Sequence, residues 1–377
     1  MGMTYARARL WLGISGVGTI VVVSVLLLLY RVPAHLLATG TVPFATEAVQ
    51  LAGMLFAYAF LSGPFDFFGG YILPQEYGRS AVRFPHFLGR WLRGALLHSA
   101  ILLLIALTLL NAAKIAGFPL FLGVFLVLNL ALLLSQTHLA ALLGGTTYRN
   151  VATEPERSGV VFAVNPSPYY TGGIAGLPGM ERAIVPERWR TLFSPEQLET
   201  ILRRRAGVSR NGSRARGVLL ALFWNTVGFC LSASLTGLTG HLATVAGIVT
   251  FSLWFTLWNF VGLLVLPTPS QKGVFSGDTF ALRNGAQKDT LESVIAQLDT
   301  YQDDEVSRSV GVETYFHPIP SVERRRNMIE AGGSADIGAW HGARTAIYLS
   351  WAGVSFLSRA VHCNCGRPDV WVFLPCD

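Results

Sequence analysis

The sequence has few charged residues and few cysteines. Only 14% of its 377 residues are charged and 4 are cysteine, whereas an average soluble domain carries about 25% charged residues. The low charge excludes a soluble enzyme, and the composition fits neither a disordered nor a collagen-like chain. Four cysteines in a chain of this length are too few for a disulfide scaffold.

Long uncharged runs are what the sequence has instead. Hydrophobic residues make up 51% of the chain, and the uncharged runs lie at 10–30, 48–65, 94–113, 115–148 and 217–271. About 20 apolar residues cross a bilayer, so the last run must fold back, and a turn-forming cluster at 236–240 predicts where. The sequence therefore predicts an integral membrane protein with six spans, near 10–30, 47–65, 94–112, 117–143, 217–236 and 242–266.

The first span resembles a signal peptide in one respect, because Arg7 and Arg9 precede an apolar run. The run is longer than the usual apolar region of a signal peptide, and no A-x-A cleavage site follows. We therefore predict a retained first helix.

The basic residues indicate topology. Of 29 lysines and arginines, 24 fall in segments that six spans place on one side: 1–9, 71–93, 145–216 and 267–341. The positive-inside rule assigns that side to the cytoplasm, so the net charge of +7 does not imply a nucleic-acid partner. A seventh span is an alternative for 345–358, but 14 uncharged residues suit a re-entrant or interfacial helix equally well.

The two large polar segments have patterns of their own. Short apolar runs at 159–164, 172–179 and 182–185, bounded by glycine and proline, predict a meander of strands. Ser194, Pro195 and Gln197 form a capping box that begins a helix. A second helix is capped by Asp289 or Thr290, and its apolar stripe consists of Leu291, Val294, Ile295 and Leu298.

Five local segments, taken in order, carry a family resemblance: 70–80, 87–94, 194–202, 278–282 and His317-Pro318 before an arginine cluster. Together they resemble the membrane-embedded zinc metallopeptidases of the M48 family, which includes the CAAX prenyl protease and the heat-shock protease of bacterial inner membranes. The resemblance implies an α-helical polytopic membrane protein with a cytoplasmic M48-peptidase-like α+β portion. Its parts are spans 1–4 (1–144), strands and zinc helix (145–216), a transmembrane hairpin (217–266), a helical segment (267–341) and a tail (342–377).

The zinc helix of that family reads H-E-x-x-H, which supplies two metal ligands and a general base. Alignment on segment 194–202, which resembles the run-up to that helix, puts Arg204 and Val208 at the histidine positions and Arg205 at the glutamate position. The third ligand position falls at Val274, four residues before Asp278. A guanidinium about 4 Å from Zn²⁺ is unfavourable by about 8 kcal/mol at an effective dielectric of 20. We therefore expect no zinc there, and expect Asp278 to cap a helix or pair with an arginine.

Loss of the ligands within a retained framework predicts a pseudopeptidase that binds or scaffolds a membrane protein or peptide partner in the bilayer. The groove residues implied by the family are Arg204, Arg205, Gly172, Gly173 and Gly176, near the strand edge to which substrate adds. For the arginines, a solvated or headgroup-facing helix end is the favoured alternative.

Two other functions stay open at this point. One is an active zinc endopeptidase with unrecognised ligands, and the other is a transporter or channel subunit. Asp66, His98 and His138 are the ionisable residues in or at the edge of spans, but they form no chain of carboxylates for a proton relay.

The tail holds a second candidate metal site. His362, Cys363, Cys365 and Cys376 provide four ligands of the kind zinc takes. In a tail predicted to be external, a disulfide with one cysteine left over is favoured instead. Cys230, in the middle of a span, is predicted to be a small core residue.

Overall fold

The computed structural model describes residues 3–150, 159–239, 241–302 and 305–373. It is mostly helical with one small sheet, and it divides into two compact units. We call the first the membrane unit; it contains Met1–Leu132, Leu222–Gly262 and Ile347–Pro368. The second, the sheet unit, contains Leu133–Ala221, Leu263–Ala346 and Asp369–Asp377.

The helices in chain order are α1 (Tyr5–Leu29), α2 (Val32–Leu36), α3 (Phe44–Phe67), α4 (Leu73–Glu76), α5 (Phe84–Gly144), α6 (Trp189–Leu192), α7 (Pro195–Arg210), α8 (Ser213–Thr239), α9 (Val245–Val265), α10 (Pro267–Arg283), α11 (Lys288–Gln302), α12 (Val310–Phe316), α13 (Val322–Glu330) and α14 (Gly342–Leu349). A π-helical turn, Phe68–Ile72, joins α3 to α4. The strands are β1 (Thr147–Asn150), β2 (Val160–Val164), β3 (Gly173–Ala175) and β4 (Arg182–Pro186).

Five helices of the described chain are long and apolar enough to cross a membrane: α1, α3 with its continuation to Glu76, α5, α8 and α9. The α5 helix, at 61 residues, contains two of the predicted spans, because its backbone leaves helical geometry at Ala116 and Gly117. Gly117 has φ +62°, a left-handed conformation that costs glycine little. The prediction of a polytopic membrane protein is confirmed.

The predicted turn between the last two spans is displaced. α8 continues to Thr239 and α9 begins at Val245, so most of the cluster at 236–240 is helical. Thr236 is buried, and its hydroxyl donates to the carbonyl of Ser232 within the helix. In a bilayer, unpaired backbone groups are costly, so helical hydrogen bonding prevails over the turn preference of glycine.

The alternative of a seventh span is wrong. Residues 345–358 form the end of the 8-residue α14, a 3₁₀ turn at Ser350–Gly353 and a left-handed Val354 with φ +56°. Eight helical residues rise only about 12 Å, which is too short to cross.

Residues 359–367, which we call the C-terminal strap, are nearly all buried in the membrane unit, so they do not form an exposed tail. Arg9 of α1 donates to the carbonyls of Gly69 and His362, each at 2.5 Å. A Cβ on Gly70 would lie 2.3 Å from the carbonyl oxygen of Gly366, so only glycine fits where the strap passes the π-helical turn.

The sheet has the strand order β1-β2-β4-β3. The three predicted strands are confirmed as β2, β3 and β4, while β1 was not predicted. The arrangement is not a simple meander, because β2 and β4 pair in parallel and β3 lies at the edge, antiparallel to β4.

The predicted capping box of α7 is confirmed. Ser194 Oγ accepts from the Gln197 backbone N–H at 3.2 Å, and Gln197 Oε1 accepts from the Ser194 N–H at 2.9 Å. The apolar stripe predicted for α11 is buried along its length. One core cluster joins the sheet, α6, α7 and α11: Phe162, Val185, Trp189, Phe193, Leu198, Ile201, Val294 and Leu298. The α10 helix packs along the other side of α7, so residues 204 and 278 face each other.

Candidate functional site

A buried ion cluster occupies the place that the alignment gives to the zinc site. Arg204 Nε lies 2.7 Å from Asp278 Oδ1. Arg325, from α13, donates through Nε to Oδ2 and through Nη2 to Oδ1, each at 2.8 Å. All three residues are at most 3% exposed. The prediction that Asp278 pairs with an arginine is confirmed, and the second arginine was not predicted.

The electrostatics of the cluster favour an ionised carboxylate. Burial alone would raise the pKa of Asp278, but Arg325 and Arg204 outweigh it and hold the pKa below its usual range. One negative charge thus lies between two positive charges, in a bidentate and a single charge-assisted contact.

Arg205, which the alignment places at the general-base position, binds backbone carbonyls. Its Nη1 donates to Ile184 of β4 at 2.6 Å and its Nη2 to Thr171 at 2.7 Å. Its guanidinium lies 5.2 Å from the centre of the Trp189 ring, within the range of a cation–π contact. Beside it, Gly172 has φ +74°, and a Cβ there would meet the carbonyl of Ile184. Arg205 therefore connects β4 to the chain that leads into β3.

The alternative of a solvated or headgroup-facing helix end is wrong for Arg204 and Arg205, which are 3% and 1% exposed. Arg204 donates to Asp278 and Arg205 to two backbone carbonyls, which makes burial of the charges tolerable. Arg203 is partly exposed and forms an i,i+4 ion pair with Glu199 at 3.2 Å.

The two remaining ligand positions are apolar. Val208 and Val274 pack in one cluster with Ile174 and Trp340. Valine has no lone pair to give a metal, and a guanidinium has none either. The residues that the alignment places at the zinc site therefore do not fit the ion. Within 3–150, 159–239, 241–302 and 305–373, no group of three or more His, Cys, Asp or Glu is placed to hold a metal.

A cavity of about 520 Å³ lies beside the outer face of α7. Ile174 of β3, Phe280 of α10 and Arg205 contribute to its walls, with the charged residues Glu181, Glu199, Arg203 and Arg210. Arg205 lines this cavity, but the other predicted groove residues, Arg204, Gly172, Gly173 and Gly176, do not.

The β3 edge itself is covered. All three of its residues are buried, and the carbonyl of Ile174 accepts from Arg214 Nη2 at 3.3 Å.

The candidate metal residues of the tail lie in or beyond the strap. Cys363 and Cys365 are buried, and neither forms a disulfide with another described cysteine. Cys365 Sγ donates to the carbonyl of Ala360 at 3.2 Å. Burial, aided by Asp66, raises the pKa of Cys365 to about 12, so this thiol keeps its proton and is a poor metal ligand. His362 is half-buried, and Cys376 lies outside the described residues.

The ionisable residues of the spans do not form one site. Asp66 is ion-paired with Arg359 of the strap, and it accepts from Trp91 Nε1 at 3.0 Å and from the Gly366 backbone N–H at 2.8 Å. His98 is buried with its ring edge-on to Trp351, and His138 is exposed. Sequence reasoning placed Asp66 at a helix end and missed its partner, Arg359.

Comparisons with known proteins support the fold. No family model matches the chain, and no curated protein matches it. Among solved structures, the crystal structure of Ste24p from S. mikatae is similar, with a TM-score of 0.61, 12% sequence identity and 76% of each chain covered. At this identity the likeness shows the fold alone. The chain therefore has a fold like that of Ste24p, and the membrane fold that the sequence resemblance implied is confirmed.

Proposed function

Starting from an M48-like membrane fold, we propose that this protein is a catalytically inactive member of that structural class and that it binds a membrane protein or peptide partner. The observation that supports the proposal is the buried Arg204–Asp278–Arg325 cluster. By the sequence alignment, it takes the position at which a peptidase of this fold needs a metal and its ligands.

Hydrolysis by a zinc peptidase requires three protein ligands and a carboxylate that accepts a proton from the metal-bound water. Here Arg205 stands at the base position, permanently protonated and engaged with the carbonyls of Ile184 and Thr171. A zinc ion would meet the charge of Arg204 and gain no ligand from Val208 or Val274. These contacts support the proposal that the site does not activate water for attack on a peptide bond.

Partner binding is assigned to the cavity beside α7. The edge of β3 is buried, so a partner would enter the cavity rather than extend the sheet. Arg203 and Arg210 lie there together with Glu181 and Glu199. Walls with both signs of charge suit a polar peptide segment that carries both signs as well.

The proposal includes location. We propose a bacterial inner membrane as the location, and the distribution of lysine and arginine supports an N-terminus and large polar segments in the cytoplasm. The cavity would then receive a cytoplasmic segment of the partner.

The first experiment tests inactivity. We expect the Cys363→Ser/Cys365→Ser variant, which removes the tail thiols, to contain no stoichiometric zinc by mass spectrometry after equilibration with the metal. We also expect the wild-type chain in detergent to leave a fluorogenic peptide library uncleaved. One zinc per chain in that variant, or chelator-sensitive cleavage by the wild type, would reverse the assignment.

The second experiment tests partner binding. A photo-crosslinking residue at Ala206, inside the cavity, should give one discrete adduct in native membranes, whereas the same residue at Glu196, on α7 but outside the cavity, should not. Ala206→Trp should abolish co-purification of the partner found this way and leave the melting temperature unchanged. Equal adducts at the two positions would contradict the proposal.

A further inference from the structure

The outer surface of α12 is apolar. Val310 is 82% exposed, Tyr315 is 53% exposed and Phe316 is 37% exposed, and Val306, just before the helix, is 59% exposed. We call these four residues the α12 face. Large apolar side chains exposed together on one short element are typical of a surface that contacts a membrane or another molecule.

The inner side of α12 is held by polar contacts. Glu313, the only charged residue of the helix, is buried and accepts from Arg324 Nη1 at 3.0 Å. From α10, Gln271 Nε2 donates to the backbone carbonyls of Glu313 at 2.9 Å and of His317 at 2.7 Å. These contacts fix α12 beside Gln271 and leave the α12 face exposed.

Gln271 lies close to the point where the chain leaves the bilayer. The 21 residues of α9 rise about 31 Å, which equals the hydrocarbon thickness of about 30 Å. α10 begins at Pro267, directly after the end of α9, and Gln271 is at most about 9 Å of helix beyond that end. The headgroup region on each side of a bilayer is roughly 5–8 Å thick. Gln271 therefore lies near the headgroup level.

A second span indicates the same level. The uncharged run 217–271 begins in α8 and ends in α10. Gly217 of α8 and Gly273 of α10 both pack against the backbone of Trp340, because a Cβ on either glycine would overlap it. The two helices thus change from charged to uncharged sequence on either side of one residue. That change marks the surface of the bilayer.

The level of α12 identifies what its exposed face meets. Apolar side chains at the surface of a bilayer enter the boundary between headgroups and acyl chains, as in interfacial helices. Tyrosine is enriched at this level because its ring is apolar and its hydroxyl is polar. We propose that the α12 face inserts into the lipid at the bilayer surface where α9 ends. This contact is independent of the cluster at Asp278 and of the cavity beside α7.

The test uses the full chain in nanodiscs of dioleoyl phosphatidylcholine, with ordinary or brominated acyl chains. The fluorescent residue dansylalanine is incorporated at Tyr315, and brominated chains quench it only if it reaches the lipid. We expect strong quenching at Tyr315. The matched control has dansylalanine at Leu192, which is 43% exposed and lies beyond the end of α7 that is remote from α8. We expect little quenching there.

Variants of Val310 test whether the apolar surface causes the insertion. Val310→Asp places a charge on the α12 face and should remove most of the quenching at Tyr315, whereas Val310→Leu should keep it. Both variants should melt in detergent like the wild type, because Val310 is almost fully exposed. A photo-crosslinking residue at Phe316 should give adducts with phospholipid in native membranes.

Three results would overturn the proposal. The first is quenching at Tyr315 no greater than at Leu192, which compares two chains with an unaltered Val310 and so does not depend on the folding of the Val310 variants. The second is unchanged quenching in Val310→Asp. The third is crosslinking of Phe316 to a protein instead of lipid, which would assign the α12 face to a protein partner.

Discussion

Asp278 in the sheet unit and Asp66 in the membrane unit are both buried beside arginine, yet their other partners differ. Asp278 receives hydrogen bonds from two guanidinium groups, those of Arg204 and Arg325. Asp66 receives one guanidinium, that of Arg359, and two neutral N–H donors. Two guanidinium groups thus share the carboxylate of Asp278, whereas one guanidinium faces that of Asp66.

The difference reflects the solvent available to each unit. A charge without a counterpart is expensive in hydrocarbon, so intramembrane ionisable groups pair one to one and complete their hydrogen bonds with neutral donors. In the sheet unit, a second guanidinium shares the same carboxylate. Arg204, which the alignment places at a zinc-ligand position, would repel a divalent cation. The two clusters therefore call for different tests.

The largest effect is expected for Asp278→Asn. It removes the anion that Arg204 and Arg325 share, and breaking a buried pair costs about 3–5 kcal/mol; we expect the upper end here. The melting temperature in detergent should fall by roughly 10 °C or more. The matched control replaces all three charges, as Arg204→Met/Asp278→Leu/Arg325→Met, and should recover most of the loss. If Asp278→Asn alone is as stable as the wild type, the cluster is solvated.

Asp66→Asn should cost less, about 3 kcal/mol. Arg359 loses its counter-charge, but the asparagine oxygen still accepts from Trp91 or Gly366. The charge-balanced pair Asp66→Asn/Arg359→Met should be more stable than Asp66→Asn alone, measured as melting temperature and as yield from the membrane. If Asp66→Asn/Arg359→Met is less stable than Asp66→Asn, Arg359 does not stabilise the fold by balancing the charge of Asp66.

Acid should weaken the Asp278 cluster. The folded-state pKa of Asp278 is lowered, so its contribution to stability is complete above the unfolded pKa, near 4. That contribution is lost as pH falls through the folded value. The stability difference between the wild type and the triple apolar variant should therefore stay constant from pH 7 to 5 and shift against the wild type below about pH 4. Thermal unfolding at stepped pH measures it, and a constant difference down to pH 3 would contradict it.

The smallest effect concerns reactivity. Cys365 is buried and its pKa is raised to about 12, so at pH 8 it should resist maleimide while the protein is folded and react after denaturation. Peptide mass spectrometry gives the ratio of Cys365 labelling in the folded protein to that in the denatured protein. Cys230, which is half-buried, is the internal comparison. Rapid native labelling of Cys365 would show that the strap opens.

Local patterns in the sequence predicted local structure well. The capping box at Ser194 and Gln197 and the apolar stripe of α11 are confirmed because a helix start and a helix face depend on residues three to seven positions apart. The spans are confirmed because apolar length alone specifies them. The turn at 236–240 was misplaced because the bilayer changes the cost of an open backbone.

Long-range partners could not be predicted in this way. Asp278 and Arg325 are 47 positions apart, and Asp66 and Arg359 are 293 apart, so only the folded chain brings them together. For Arg205 a signal was present. It follows Ile201 by four residues and precedes Val208 by three, so helical periodicity places it on the buried face. The prediction of a solvated helix end gave the charge of the side chain more weight than its position.

The C-terminal strap has a consequence for synthesis. The polar groups of α1 and α3 acquire acceptors and counter-charges from residues 359–367, more than 290 positions later in translation. Until the ribosome has delivered that stretch, Arg9 and Asp66 sit in an incomplete helical assembly in which they must keep water or lipid headgroups as neighbours. Insertion of α1 and α3 into the membrane is thus a separate event from the packing of the strap against them. A chain that ends before the strap would have these helices inserted but not packed against it.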